Sequence, residues 1–201
     1  YYLKRVRRYH GTATKALELA VRMALENQEP KRADVLLRDE KKMNPNRLDT
    51  YIVLAKFYVH EERDEDALEN LDIVIEKKKD HVEALVLKGL VLVRLQRCDE
   101  ALPLLEQAAK TDPNPEVLMA LAECHLHAKD VGAAIDVLHQ VLGKSRRNAK
   151  ALYLLGQAAA QSGQALKAYM IFFRAALEGA PPEACQDQAK SMINNCLLYT
   201  S

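Results

Sequence analysis

Residues 82–114 read VEALVLKGLVLVRLQRCDEALPLLEQAAKTDPN and carry the clearest periodic pattern in the chain. Small or apolar residues recur at helical spacing on both sides of a short polar break: Leu85, Gly89, Leu92, Ala101, Leu105 and Ala108. Residues three or four apart share one face of a helix, so the pattern predicts two short amphipathic helices joined by a turn. Gly89 and Ala101 are small enough to let these helices approach closely, and Pro113 closes the unit.

The same unit recurs along the chain at a nearly constant step. The small residue of the second helix is found at five positions separated by 34, 34, 33 and 34 residues: Ala33, Ala67, Ala101, Ala134 and Ala168. The sequence therefore predicts five units, at residues 14–47, 48–81, 82–114, 115–148 and 149–182. The one short step falls at the DPNP junction, where a shortened loop absorbs the missing residue.

A period of about 34 residues, with its Gly, Ala and Pro positions in fixed order, resembles the tetratricopeptide repeat. The resemblance covers about residues 14–182. It departs from the family pattern in lacking the usual Pro in repeats two, four and five, and in using aliphatic residues where aromatic ones are common. It implies an all-α fold, a right-handed superhelical solenoid of antiparallel helix pairs.

The composition is that of a helical domain. Of the 201 residues 49% are hydrophobic, only 5% are aromatic and none is Trp, which predicts a core of Leu, Ala, Val and Ile. A net charge of +1 supplies no overall attraction to nucleic acid or an anionic membrane, and no apolar run is long enough to span a bilayer. The four cysteines form no CxxC pair, which favours a reducing compartment, so we expect a cytoplasmic location.

The two ends of the chain lie outside the repeat pattern. Residues 1–13, YYLKRVRRYHGTA, are basic and allow two interpretations. One is the end of a preceding helix with Gly11 as its cap, which we favour, and the other is a basic arm that contacts nucleic acid. Residues 183–201 predict a polar capping helix followed by a tail.

No enzyme motif is present. The sequence lacks a GxSxG nucleophile turn, a GxxxxGK phosphate loop and a dinucleotide fingerprint, so we expect neither catalysis nor a cofactor. Cys124 and His127 share a helix face, and His139 on the partner helix would be a third metal ligand. We interpret them instead as ordinary surface and interface residues.

The resemblance also implies where a ligand binds. In this family the first helices of successive repeats line a concave groove, and ligands contact the second, fifth, ninth and twelfth positions of each repeat. The predicted groove residues are Ile52, Lys56, Val86, Leu90, Met119, Glu123, Tyr153 and Gln157. The middle of this set is apolar, which favours an apolar or amphipathic peptide segment. Val59, Val93 and Leu126, at the twelfth position, are expected to pack on the neighbouring helix.

A subset of the family holds the C-terminal carboxylate of chaperone tails with Lys, Asn and Arg residues from three repeats. Read from repeat one, the corresponding positions here are Glu18, Arg22, Val53, Glu83 and Leu87. No starting repeat preserves the set. The sequence therefore predicts that this carboxylate clamp is not present.

These features predict a protein–protein interaction scaffold without enzymatic activity, working as part of a multiprotein assembly. Two alternatives remain. The first is a substrate-recruiting repeat region of a larger enzyme, and the second is an RNA-binding helical repeat that uses the basic N-terminal segment. Membrane association is not expected.

Overall fold

The computed structural model describes residues 12–188 and Lys190, and the predicted N-terminal segment and C-terminal tail lie almost wholly outside them. Within that part the structure is helical throughout, without a strand, so the predicted all-α class of antiparallel helix pairs is confirmed. Ten helices have defined bounds: α1 (Thr12–Glu26), α2 (Pro30–Met43), α3 (Leu48–His60), α4 (Asp64–Lys77), α5 (Val82–Arg94), α6 (Cys98–Thr111), α7 (Pro115–His127), α8 (Val131–Lys144), α9 (Ala149–Gln161) and α10 (Ala165–Leu177). Residues 182–188 are also helical.

The ten helices form five pairs, one for each predicted repeat, although α1 begins two residues before the first repeat, and a three-residue turn reverses the chain within each pair. The middle residue of the turn adopts a left-handed backbone in every repeat: Gln28, Glu62, Gln96, Lys129 and Gly163, with φ between 57° and 76°. The next amide then donates back into the last turn of the first helix, as Arg63 N does to Tyr58 O at 2.8 Å. This cap ends the first helix and starts the second in the opposite direction.

The described part of the chain forms two compact bodies, one that ends at Val91 and one that begins at Leu92. We call them the N-terminal body and the C-terminal body. In the N-terminal body Leu37, Leu54 and Leu71 are buried in one continuous core. In the C-terminal body Leu105, Leu138 and Phe172 occupy the place that Leu37 and Leu71 have in their second helices. The recurring alanines, from Ala33 to Ala168, have no exposed surface, as the close approach of paired helices requires.

The observed N-cap residues differ in part from those that the acidic residues of the sequence predict. Asp64, Asp99 and Glu100 suggest N-caps, but the caps are Arg63 and Arg97, and the acidic residues lie in the first turn. There the carboxylates complement the helix dipole, and Glu100 pairs with Arg97 at 2.7 Å. Side-chain caps occur instead at Asn114, Asp130 and Asn148, each of which accepts from the third amide beyond it.

The prolines fit the helices. Pro30 and Pro115 occupy first helical positions, where the missing N–H costs no hydrogen bond. Pro103 lies inside α6, and that helix continues through it to Thr111. None of the described helices has the length and apolar character that crossing a membrane requires.

Candidate functional site

The eight predicted groove residues lie on first helices of the repeats and divide equally between the two bodies. The N-terminal body carries Ile52 and Lys56 on α3 and Val86 and Leu90 on α5. The C-terminal body carries Met119 and Glu123 on α7 and Tyr153 and Gln157 on α9. Each body therefore presents its own part of the candidate surface.

In the N-terminal body one residue of the predicted set is buried. Ile52 has 3% of its surface exposed and belongs to the hydrophobic core, so it offers almost no area to a ligand. The reason is that α3 packs against α1, α2 and α4, which leaves it only a narrow free face. Val86 and Leu90 are half-buried and Lys56 is exposed, so these three remain accessible.

Lys56 on α3 forms ion pairs with the other two first helices of the N-terminal body, α1 and α5. Its Nζ lies 2.7 Å from Glu83 Oε1 on α5 and 3.8 Å from Glu18 Oε1 on α1. These side chains are 39% to 52% exposed, so each pair contributes little to stability, about 0–1 kcal/mol. A ligand on this surface would meet a lysine whose charge is already compensated.

In the C-terminal body three predicted residues meet in one place. Glu123, Tyr153 and Gln157 border a cavity of about 560 Å³. Its remaining lining comes from α5, the turn after it, α6, α7, α9 and the C-terminal helical segment: Val93, Gln96, Cys98, Leu126, His127, Leu154, Ala160, Gln161 and Gln188. The volume lies within the range of sites that hold small ligands or side chains of a partner. Met119 is half-buried on α7 and is not part of the lining.

Tyr153 packs against the second helix of its own repeat. Its ring centroid is 5.6 Å from that of Phe172, and the planes are tilted by 54°. Aromatic pairs prefer such tilted geometry, so the contact stabilises this orientation of the tyrosine. The ring therefore lines the cavity as a preorganised apolar wall.

Glu123 repeats the arrangement of Lys56 with the charges exchanged. Its Oε1 lies 2.7 Å from Lys150 Nζ, which joins α7 to α9. Both pairs, Lys56 with Glu83 and Glu123 with Lys150, connect the ninth position of one repeat to the second position of the next, 27 residues later. Sequence reasoning missed these contacts, although opposite charges 27 residues apart were the available signal. It also missed Gln188, for which the sequence offers no signal.

The candidate metal ligands do not come together. Among the described residues no group of three His, Cys, Asp or Glu side chains is placed to hold a metal ion. Cys124 has no exposed surface, and Cys98 lines the cavity. Burial raises the pKa of the Cys124 thiol far above its usual range, and the neighbouring Cys98 raises it further.

A chemical prediction follows for Cys124. A raised pKa keeps the thiol protonated at pH 8, and alkylation requires the thiolate, so iodoacetamide should modify Cys124 at least about tenfold more slowly in the native chain than in urea. Peptide mass mapping of timed reactions measures both rates. Equal rates in the two states would show that Cys124 is open to solvent.

Comparisons with known proteins agree with this architecture. A family model described as tetratricopeptide repeat matches residues 86–146 and 130–184. Anaphase-promoting complex subunit 7 from Dictyostelium discoideum is 35% identical over 113 residues, which are 56% of this chain and 20% of that protein. The chain thus spans about a fifth of the length of this relative.

Two solved structures show the same fold. One is PilW, described as a widely conserved type IV pilus biogenesis factor, with a TM-score of 0.76 and 18% identity over 90% of this chain and 86% of that one. The other is YrrB, described as a repeat protein with an unusual peptide-binding site, with a TM-score of 0.75 and 18% identity. That match covers 85% of this chain and 88% of YrrB. At these identities the likeness establishes the fold alone.

Proposed function

Since the chain belongs to the tetratricopeptide-repeat family, we propose that it is a protein–protein interaction scaffold whose first helices hold a peptide segment of a partner. The observation that carries this proposal is the cavity of about 560 Å³ where Glu123, Tyr153 and Gln157 meet. It combines a fixed aromatic wall with polar groups at its rim, the composition of interface pockets that accept an anchoring side chain.

The chemistry of the lining indicates the kind of segment. Tyr153, Leu126 and Val93 offer apolar surface, whereas Gln157, Gln161 and Gln96 offer amide donors and acceptors. Lys150 already compensates the charge of Glu123. The cavity therefore suits an apolar anchor on an amphipathic peptide better than a charged tail, in keeping with the missing carboxylate clamp.

Two relatives support the proposal. YrrB is described as having a peptide-binding site, and the Dictyostelium relative is a subunit of the anaphase-promoting complex. By extension, we propose that the present chain also binds a peptide segment and that it does so within a multiprotein assembly.

The test is a change of the aromatic wall. Random peptides displayed on phage are selected against the full chain, and the dissociation constants of the selected peptides are measured by fluorescence anisotropy. Tyr153→Ala should weaken binding by about tenfold or more, because truncating a central aromatic anchor typically costs above 1 kcal/mol. Circular dichroism checks that the variant remains helical.

Met43→Ala is the control, because it truncates a large apolar side chain on α2 that is 63% exposed and belongs to neither the cavity lining nor the predicted groove. It should leave the affinity unchanged. Selected peptides whose affinity falls with Met43→Ala and not with Tyr153→Ala would contradict the proposed site. For the N-terminal body, the double variant Val86→Asp, Leu90→Asp should weaken the binding of selected peptides that contact α5, because an unpaired charge in an apolar contact is costly.

A further inference from the structure

The outer face of α10 carries an exposed apolar strip. Leu166, Met170, Phe173 and Leu177 follow one another at steps of four, three and four residues, so they share one side of the helix. They are 77%, 64%, 60% and 72% exposed, and Tyr169 at the edge of the strip is 48% exposed. The opposite side of α10, with Phe172, packs on the core of the C-terminal body. This helix is thus apolar on both sides.

The strip is peculiar to repeat five. The position of Phe173 holds charged residues or histidine in the other repeats: Arg38, Asp72, Glu106 and His139. The position of Leu177 holds Lys42, Glu76, Lys110 and Gly143. These residues are exposed or half-exposed in their own bodies, so the position is an outward one in every repeat. The fold itself therefore does not require apolar residues there, and a contiguous exposed apolar patch is typical of a binding surface.

One edge of the strip is basic. Lys167 and Arg174 are exposed and lie seven residues apart along the same edge. Arg174 Nη2 donates to the backbone oxygen of Arg146 at 3.1 Å, and these two arginines border a cavity of about 390 Å³ that Leu142, Leu155 and Ile171 help to line.

Lys167, Arg174 and Arg146 are not paired with a carboxylate among the described residues. The nearby Glu178 pairs instead with Arg147 at 3.7 Å. The strip is therefore bordered by uncompensated positive charge.

The charges distinguish between possible occupants. The segment Ala165–Leu177 contains no Asp or Glu, so α10 of a second copy packed on the strip would offer no carboxylate to Lys167 and Arg174. A partner with carboxylates along one edge would instead complement Lys167 and Arg174. Seven residues correspond to about 10 Å along a helix, so acidic residues two turns apart match the two cations.

We propose that the outer face of α10 binds an amphipathic helix of a partner protein, with its apolar side on the strip and carboxylates along the edge formed by Lys167 and Arg174. Helices commonly dock by apolar anchors at such spacing. The site is separate from the cavity on the first helices, because no residue of α10 lines that cavity.

The test uses two designed helical peptides of about 18 residues, a length at which amphipathic helices can form. Both carry leucines at the spacing of the strip; one has glutamates along one edge and the other has lysines at those places. The dissociation constant of each for the full chain is measured by anisotropy. The acidic peptide should bind at least about tenfold more tightly than the basic one.

Two variants locate the contact. Phe173→Asp should weaken binding of the acidic peptide by at least about tenfold, and Arg174→Glu, which leaves Lys167 in place, should remove most of the preference for the acidic peptide. Gln140→Asp introduces the same negative charge at an exposed position of α8 and should leave the affinities for the acidic and the basic peptide unchanged.

Several results would overturn the proposal. They are equal binding of the two peptides, no binding of either, or binding that Phe173→Asp leaves unchanged. Two more are self-association of the chain that Phe173→Asp abolishes, which would make a second copy the occupant, and binding only to vesicles of anionic lipid, which would make a membrane surface the occupant.

Discussion

Replacing Phe172 by alanine should lower the free energy of unfolding of the C-terminal body by about 3–5 kcal/mol. The side chain is 1% exposed and lies among Leu152, Ala168 and Ala175, with Tyr153 against its ring. Its removal takes away apolar surface and leaves a cavity that backbones held by short turns cannot fill. Urea titration followed by circular dichroism measures the loss as a lower midpoint of the transition.

Phe173→Ala is the matched control for this change. The neighbouring phenylalanine is 60% exposed, so the same truncation should alter stability by no more than about 0.5 kcal/mol. If the two alanine variants lost equal stability, the orientation of α10 described above would be wrong, and with it both the core and the exposed strip.

Gly156→Ala should destabilise the same body by about 1–3 kcal/mol, although alanine is the better helix former. A Cβ at this position would lie 2.6 Å from Cε1 and 2.7 Å from Cδ1 of Phe172, closer than non-bonded carbons approach. The ring fills the groove between α9 and α10, so the helices must separate to admit the methyl group. The same urea titration measures this effect.

Gly143→Ala should change stability in the opposite direction. Apart from the neighbouring residues and the backbone of α8 itself, no heavy atom lies within 4 Å of a Cβ built there, so alanine should be neutral or should stabilise α8 by up to about 1 kcal/mol. Adding Phe172→Leu to Gly156→Ala should cost less than the sum of the two single changes, because the smaller side chain vacates the space that the methyl group needs. Strict additivity would mean that the glycine and the ring do not contact.

Much of the fold could be predicted because one short pattern repeats. The 34-residue step from Ala33 to Ala67 and onward identifies the close contact of each helix pair, and a Leu or Phe four residues later identifies the core layer. Helix caps were harder: the acidic residues near α4 and α6 suggest caps, but the three-residue turn places Arg63 and Arg97 there. Turn geometry depends on the left-handed residue before the cap, which the sequence marks with glycine only at Gly163.

The candidate site was predicted less completely. Glu123, Tyr153 and Gln157 meet as the repeat positions imply, because positions on first helices recur in a fixed register. Ile52 occupies an equivalent position and is buried, since that position faces a ligand only where neighbouring helices leave space. The pairs of Lys56 and Lys150 with glutamates of the adjacent first helix depend on the distance between those helices, which no single repeat encodes.

For this protein the order of residues alone determined the helices, their pairing and the repeat register, because each follows from local spacing and from small residues that recur at one period. Only the packed structure decided which side of an apolar helix is covered. The segment LKAYMIFFRAAL has apolar residues on both sides of its basic edge, Lys167 and Arg174, so the burial of Phe172 and the exposure of Phe173 depend on where α9 lies. That contact buries one aromatic ring in the core and leaves its neighbour at the surface.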